Sequence, residues 1–339
     1  MEELSKTVFD KKINMISTFD YTKSVTWLSM VLLEERLAKL YYKLENHHHH
    51  HQLEADVLSA SLQAFGSVVS NCLNQLLLNS KPGSEILSFS WIQQCFELLP
   101  LINGAFAKLV VDIEYPMSSW DVASLDEYLN YGLHLLELLN SVSSSLSHLA
   151  HARLSFAHAL NLLENSPSLA IKHLKAIRPQ SSSKDFKGQE NMEDGDDKFS
   201  SCKERVVNQA LMEIKNVGFW VCGVALASLS GDAKPYLEIK RVIDRFNSAL
   251  LIDVDSCISD VIVEKDELLK DIKDLNNAAA SLASAIVSGK SSDAAKDLER
   301  RLGVFEKQLE ALEKQVDNLF SEVLAGRNEL LLVVRQRKQ

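Results

Sequence analysis

An all-α fold follows from three observations on this sequence: scarce turn residues, apolar side chains at helical spacing, and a heptad seam near the end. The chain of 339 residues holds 12 glycines and 6 prolines, too few for the tight turns that separate strands. Leu, Ala, Glu, Lys and Ser are abundant, and these favour helix interiors or caps. Apolar residues recur three and four positions apart through much of the chain, the period of a helix with one buried face. The expected architecture is an elongated bundle of long antiparallel helices with a C-terminal heptad-patterned, coiled-coil-like helix. A hydrophobic content of 46% supplies ample core, and the length fits one large or two ordinary domains.

The elements follow in chain order. Residues 1–26 read as a weakly ordered N-terminal segment. Leu28, Val31, Leu32, Leu37, Leu40 and Tyr41 predict a helix over 27–46. The tract His47–His51 comes next, and a second helix runs from Leu53 to about Asn79. Lys81-Pro82-Gly83 ends it, because Pro and Gly together stop a helix. A third helix spans about Glu85–Ile113, with Pro100 expected to kink or split it. Ser124 and Glu127 have capping-box spacing, which predicts a long helix from Leu125 to about Asn165. Ser166-Pro167 then starts a short helix ending near Arg178-Pro179.

Residues 179–203 carry serines and acidic residues with almost nothing apolar. Such a segment cannot bury enough surface to offset its ordering entropy, so a disordered acidic linker is expected there. It divides an N-terminal helical region, 27–178, from a C-terminal one, 204–339. Beyond it, Lys203 opens a helix into the most apolar uncharged run, Asn216–Gly231, which includes Phe219, Trp220, Val221, Val224 and Leu226. The run falls short of the roughly 20 residues a bilayer span needs. A buried core helix is the first reading, and membrane contact through those five side chains is the second. Helices at about 236–250 and 254–289 come next, then a turn at Gly289–Ser292.

The last helix, 292–337, has the strongest periodicity. Leu298, Leu302, Phe305, Leu309, Leu312, Val316, Leu319 and Val323 alternate three and four apart and make a heptad seam. Gly326 interrupts it and Leu330 resumes it. The seam needs a partner helix: another copy, another protein, or this chain folding back. Folding back on the N-terminal region is the simplest of the three, with the charged back of the helix left to meet protein partners.

Charge and motif content narrow the function. The net charge of −10 repels phosphate, so nucleic acid is not an expected partner. Cys72, Cys95, Cys202, Cys222 and Cys257 lack zinc-ligand spacing and read as isolated buried thiols of a reducing compartment. The acidic start Met1-Glu2-Glu3, with no apolar stretch after it, predicts no cleaved secretory signal. Consecutive histidines at 47–51 point in all directions on a helix and read as an exposed turn rather than a metal site. His134, His148, His151 and His158 fall on one arc of the long helix and read as a wet edge. Asp253, Asp255 and Glu264 match three calcium-loop positions, but Ile258 stands where the loop needs Gly. No phosphate loop, nucleophile elbow or paired Glu-x-x-His motif occurs. The expectation is therefore a non-enzymatic protein with no cofactor, no metal site and no catalytic residues.

Two blocks of residues resemble a known family. They are Ser90-Trp91, Asp112-Ile113-Glu114-Tyr115-Pro116, Trp120-Asp121 and Asp126-Glu127-Tyr128-Leu129, with Leu135-Leu136, Asn140, Leu146-Ser147 and Leu149. Near the end come Leu298-Glu299-Arg300-Arg301-Leu302, Phe305–Leu309, Val316–Phe320 and Arg327. This ensemble resembles the plant BYPASS-related family across about 85–176 and 290–335. The resemblance implies a regulatory plant protein tied to shoot and root development through root-to-shoot signalling. It also implies protein partners, Exo70-type exocyst subunits among them, and a cytoplasmic location with membrane association in some members. It carries no catalytic or ligand residue across. The histidine tract and the start of the chain depart from the family pattern.

Overall fold

A computed structural model of the chain describes residues 51–79, 87–178, 201–243, 249–265 and 269–337. The expected N-terminal segment, the helix over 27–46, His47–His50 and residues 179–200 of the expected linker lie outside the described residues. Among the described residues every regular element is helical: α1 (His51–Asn79), α2 (Phe89–Asp112), a 3₁₀ turn (Met117–Ser119), α3 (Val122–Leu162), α4 (Pro167–His173), α5 (Cys202–Ser230), α6 (Lys234–Ile243), α7 (Ala249–Lys265), α8 (Lys270–Val287) and α9 (Ser292–Arg337).

Several boundaries differ from expectation for identifiable reasons. α2 starts at Phe89 because Ser88 takes the N-cap and its hydroxyl accepts from the Trp91 amide at 3.2 Å. The split at Pro100 does not occur; α2 is one helix. Pro100 sits on the exposed side of the helix. The Ser124–Glu127 capping box does not form either. Asp121 caps α3 instead, accepting from the Ser124 amide at 2.6 Å. That frees the Ser124 hydroxyl to accept from Asn208 at 2.9 Å and Glu127 to pair with Lys215 at 2.5 Å. α4 stops at His173, well before Arg178, because Asn276 of α8 clamps the chain there. Its amide accepts from the Ile177 N–H at 2.7 Å and donates to the Ile177 carbonyl at 3.1 Å. At the far end of the linker, Ser201 already caps α5 through the Glu204 amide. The single helix expected over 254–289 is two, broken at Leu269, whose backbone is non-helical while its side chain is fully buried.

Directions follow from the cross-helix contacts. α9 runs antiparallel to α3, since Arg153 pairs with Glu306, Gly132 faces Val323, and Leu129 accepts from Arg327. α3 and α5 run parallel. Ser124, Glu127 and Tyr131 meet Asn208, Lys215 and Phe219 in the same order. α5 packs on α1, α2, α3, α6 and α7, and α9 packs on α2, α3 and α8. One continuous apolar core runs through all of them.

Candidate interaction surface and the apolar helix

α9 is the longest described helix, and its seam lies inside. All eight seam residues, Leu298, Leu302, Phe305, Leu309, Leu312, Val316, Leu319 and Val323, are buried against the chain's own helices. Phe305 meets Phe89 edge-on at 5.2 Å between ring centroids. Polar ties fix the register: Gln315 donates to the Gln93 carbonyl at 3.1 Å, and Arg327 donates to the Leu129 carbonyl at 2.9 Å. Each such side chain contributes about 1.5–3 kcal/mol on burial, so a partner helix that displaced the seam would have to replace all of that. What α9 leaves outward is its other side, with Arg300, Val304, Lys307, Ala311, Lys314, Asn318 and Leu332 exposed along its length. Asp297 bridges Arg300 and Arg301 at 2.8 Å each, and hydrogen bonds from those two guanidinium groups hold its carboxyl below the usual range.

α5 differs in kind, because it is buried on every side from Ile214 to Ser230. Phe219, Trp220, Val221, Val224 and Leu226 all lie in the core, and none faces outward in this conformation. Close packing explains two of its glycines. A Cβ at Gly218 would stand 3.0 Å from the Tyr131 hydroxyl, and one at Gly223 would stand 3.1 Å from Ile239. Its polar atoms are met individually. The Trp220 indole donates to Asp255 at 2.9 Å, the Tyr236 hydroxyl donates to the same oxygen at 2.5 Å, and Lys240 pairs with the other oxygen. Asp255 therefore fastens α6 and α7 to α5. Asp253, the other aspartate of the calcium-loop pattern, lies exposed.

The remaining reactive groups are dispersed. His134 packs on the Phe219 ring, His148 donates to the Arg178 carbonyl at 3.2 Å, and His151 donates to the Ser147 carbonyl at 2.7 Å. His158 stacks edge-on with His173 at 4.6 Å. Among the described residues no three His, Cys, Asp or Glu side chains converge on a point where a metal would bind. The expectation of five buried thiols needs correction: Cys72, Cys95 and Cys222 are buried, whereas Cys202 and Cys257 are exposed. Burial pushes the Cys95 and Cys222 thiols far up, which keeps them protonated. Between α2, α3 and α9, Asn103, Tyr131, Gly132, Val323 and Arg327 help line a cavity of about 10 Å³, room for one water and for no metabolite.

Known proteins supply the setting. The chain is 26% identical to UPF0496 protein 4 of Oryza sativa subsp. japonica, over 81% of its own length and 61% of the rice protein. It is 25% identical to Protein BPS1, chloroplastic, of Arabidopsis thaliana, over 80% of its own length and 82% of that protein. The BPS1 match is BYPASS itself and covers most of both chains. The chain is similar to the plant BYPASS-related family. It spans 61% and 50% of the length of the two rice relatives. No family model and no solved structure matches the chain.

The BYPASS-like residues now have physical roles. Trp120 donates from its indole to the Tyr115 carbonyl at 3.0 Å and sits edge-on to Phe106 and Tyr128. Asp121 is the α3 cap, and Glu127 holds the buried Lys215 of α5. Tyr128 stacks on Phe106 at 6.2 Å, and Arg327 ties α9 to α3. The residues that carry the resemblance sit at the joints between α2, α3, α5 and α9.

Proposed function

We propose that the chain is a non-enzymatic regulator of plant development and signalling, an adaptor that binds protein partners through the outward side of α9. The observation that carries this reading is the geometry of that helix. Its seam is anchored in the core along its length, while Lys307, Ala311, Lys314 and Asn318 form a rigid, solvent-facing strip of mixed character. A rigid strip loses little conformational entropy on binding, which favours recognition. Similarity to BPS1 supports the developmental setting, and an Exo70-type exocyst subunit is the first partner to test. Affinity purification from plant extract should recover fewer partners with Lys307→Glu/Lys314→Glu than with the unaltered chain. A folded double variant with an unchanged partner set overturns the α9 surface.

A second reading is a peripheral membrane protein in exocyst-linked secretion, anchored through residues 216–231. It draws on one observation: α2 and α5 are long and apolar enough to cross a membrane by length and composition. It requires α5 to leave five packed neighbours and the Asp255 anchor, and so ranks below the adaptor. Carbonate extraction separates the two. Release of the whole pool favours the adaptor; retention that disappears on deleting 216–231 favours the membrane.

A further inference from the structure

The chain is acidic, but not everywhere. From residue 138 to residue 178 it carries four Lys and Arg against one carboxylate, Glu164, whereas the whole chain has 36 against 46. The fold draws these cations together. His158 of α3 meets His173 at the end of α4, and His148 of α3 donates to the Arg178 carbonyl. Residues 173–178 therefore run back along α3, antiparallel to it. Leu174 and Ile177 are buried there, which leaves Lys172, Lys175 and Arg178 exposed at three-residue intervals. The fourth cation, Arg153, pairs with Glu306 of α9. Lys215, Lys240, Arg300 and Arg301 likewise have carboxylate partners. Among the described residues Lys172, Lys175 and Arg178 have none.

We propose that this basic strip is a docking site for an extended acidic peptide of a partner protein. Complementary charge steers such a partner to the strip and fixes its orientation there. The arrangement of the cations selects a peptide, because they are strung along a line rather than gathered round a point. Ten residues of α3 separate the two histidine contacts, about 15 Å along the helix axis, which about five extended residues span. Carboxylates repeated along a chain match that line, whereas a single phosphate is held by donors that converge on it. Charge also disfavours a lipid surface. Screening confines the field of exposed cations to about 10 Å, so a peptide lying on the strip meets them alone. An anionic membrane would approach a whole side of a molecule whose net charge is −10. The strip stands apart from the reading of α9, since none of its three unpaired cations belongs to that helix.

Fluorescence anisotropy of labelled hexaglutamate titrated with the full chain tests this, with hexaglutamine as the uncharged control. Hexaglutamate alone is expected to bind, and Lys172→Glu/Lys175→Glu/Arg178→Glu should weaken it by roughly tenfold or more. Lys290→Glu/Lys296→Glu/Lys314→Glu makes the same change in net charge at other exposed positions and should weaken it by less than about twofold. Because added carboxylates could disturb the fold, a further variant, Lys172→Ala/Lys175→Ala/Arg178→Ala, should keep the helical spectrum and still weaken binding roughly threefold. Failure of hexaglutamate to bind overturns the proposal, and so does equal weakening by the two Glu variants. Binding that appears only after residues 190–197 are deleted overturns it too, since the chain's own acidic run then takes the strip. Phosphatidylserine vesicles that hold the chain through the same three residues, and that hexaglutamate fails to displace, would assign the strip to a membrane instead.

Discussion

α5 and α9 are both long helices with many apolar residues, and they are buried in different ways. α9 has a stripe: its apolar positions repeat at heptad spacing, one side enters the core, and the other remains in water. α5 has no polar side between Asn216 and Ser230, and five helices enclose it. Periodicity thus states how many sides a helix buries, whereas hydrophobicity alone does not separate a core helix from a membrane helix. The enclosure of α5 also creates a demand that α9 lacks. Its indole N–H has no water to turn to, and Asp255 on α7 meets that demand.

The contrast is broken most severely at that aspartate. Asp255→Ala strands the Trp220 and Tyr236 donors in the core; Lys240 reaches solvent and suffers least. The expected loss is roughly 3–5 kcal/mol, read as a lowered urea midpoint, with increased hydrogen exchange in α6 and α7. An equal change in α9 and no change in α6 would show that Asp255 does not act as the fastening. Leu312→Ala, at a fully buried seam position, removes apolar contact without stranding a polar group. Its expected cost is about 3 kcal/mol. A loss below about 0.5 kcal/mol would place Leu312 outside the core.

A smaller effect is expected at the joint that the BYPASS-like Trp120-Asp121 pair builds. Burial acts to raise the Asp121 carboxyl pKa, but the Ser124 amide and hydrogen bonds with Glu204 and the Ser124 side chain outweigh it, so the value is lowered. A lowered folded value contributes stability that is complete above the unfolded aspartate range, about 4, and is lost as pH falls through the folded value. Asp121→Ala should cost about 1 kcal/mol at neutral pH. Asp121→Asn keeps an oxygen at the cap and should cost less, while flattening the acid side of the stability profile. An unchanged acid limb in the Asn variant would remove the charge from this account.

Most of the fold was legible because helices with one buried side announce themselves at fixed spacing. The α9 seam and the turn at Gly289 both rest on local chemistry. Errors arose where a distant residue decided. Asn276 ends α4's region from across the fold, and Asp121 beats the Ser124 capping box while Asn208 and Lys215 draw Ser124 and Glu127 into cross-helix bonds. Asp255 illustrates the same limit: nothing in the local sequence said that Trp220 and Tyr236 would share its oxygen. The parallel course of α3 and α5 was likewise hidden, since no local spacing encodes the relative direction of two helices.

The finest test of the two helices uses glycine, which lowers helix stability relative to alanine by roughly 0.5–1 kcal/mol. At Gly303 of α9 an added methyl meets nothing within 4 Å, so Gly303→Ala should stabilise the chain by about that amount. At Gly223 of α5 the same methyl lies 3.1 Å from Ile239 and within 3.4 Å of two further atoms of that side chain. Ile239 is itself buried and has little room to move, so overpacking of about 1–3 kcal/mol should exceed the propensity gain. Gly223→Ala is then destabilising while Gly303→Ala is stabilising, measured side by side in urea. If both stabilise, α5 is packed more loosely than α9, and the difference between an enclosed helix and a one-sided one does not extend to the fit of individual side chains.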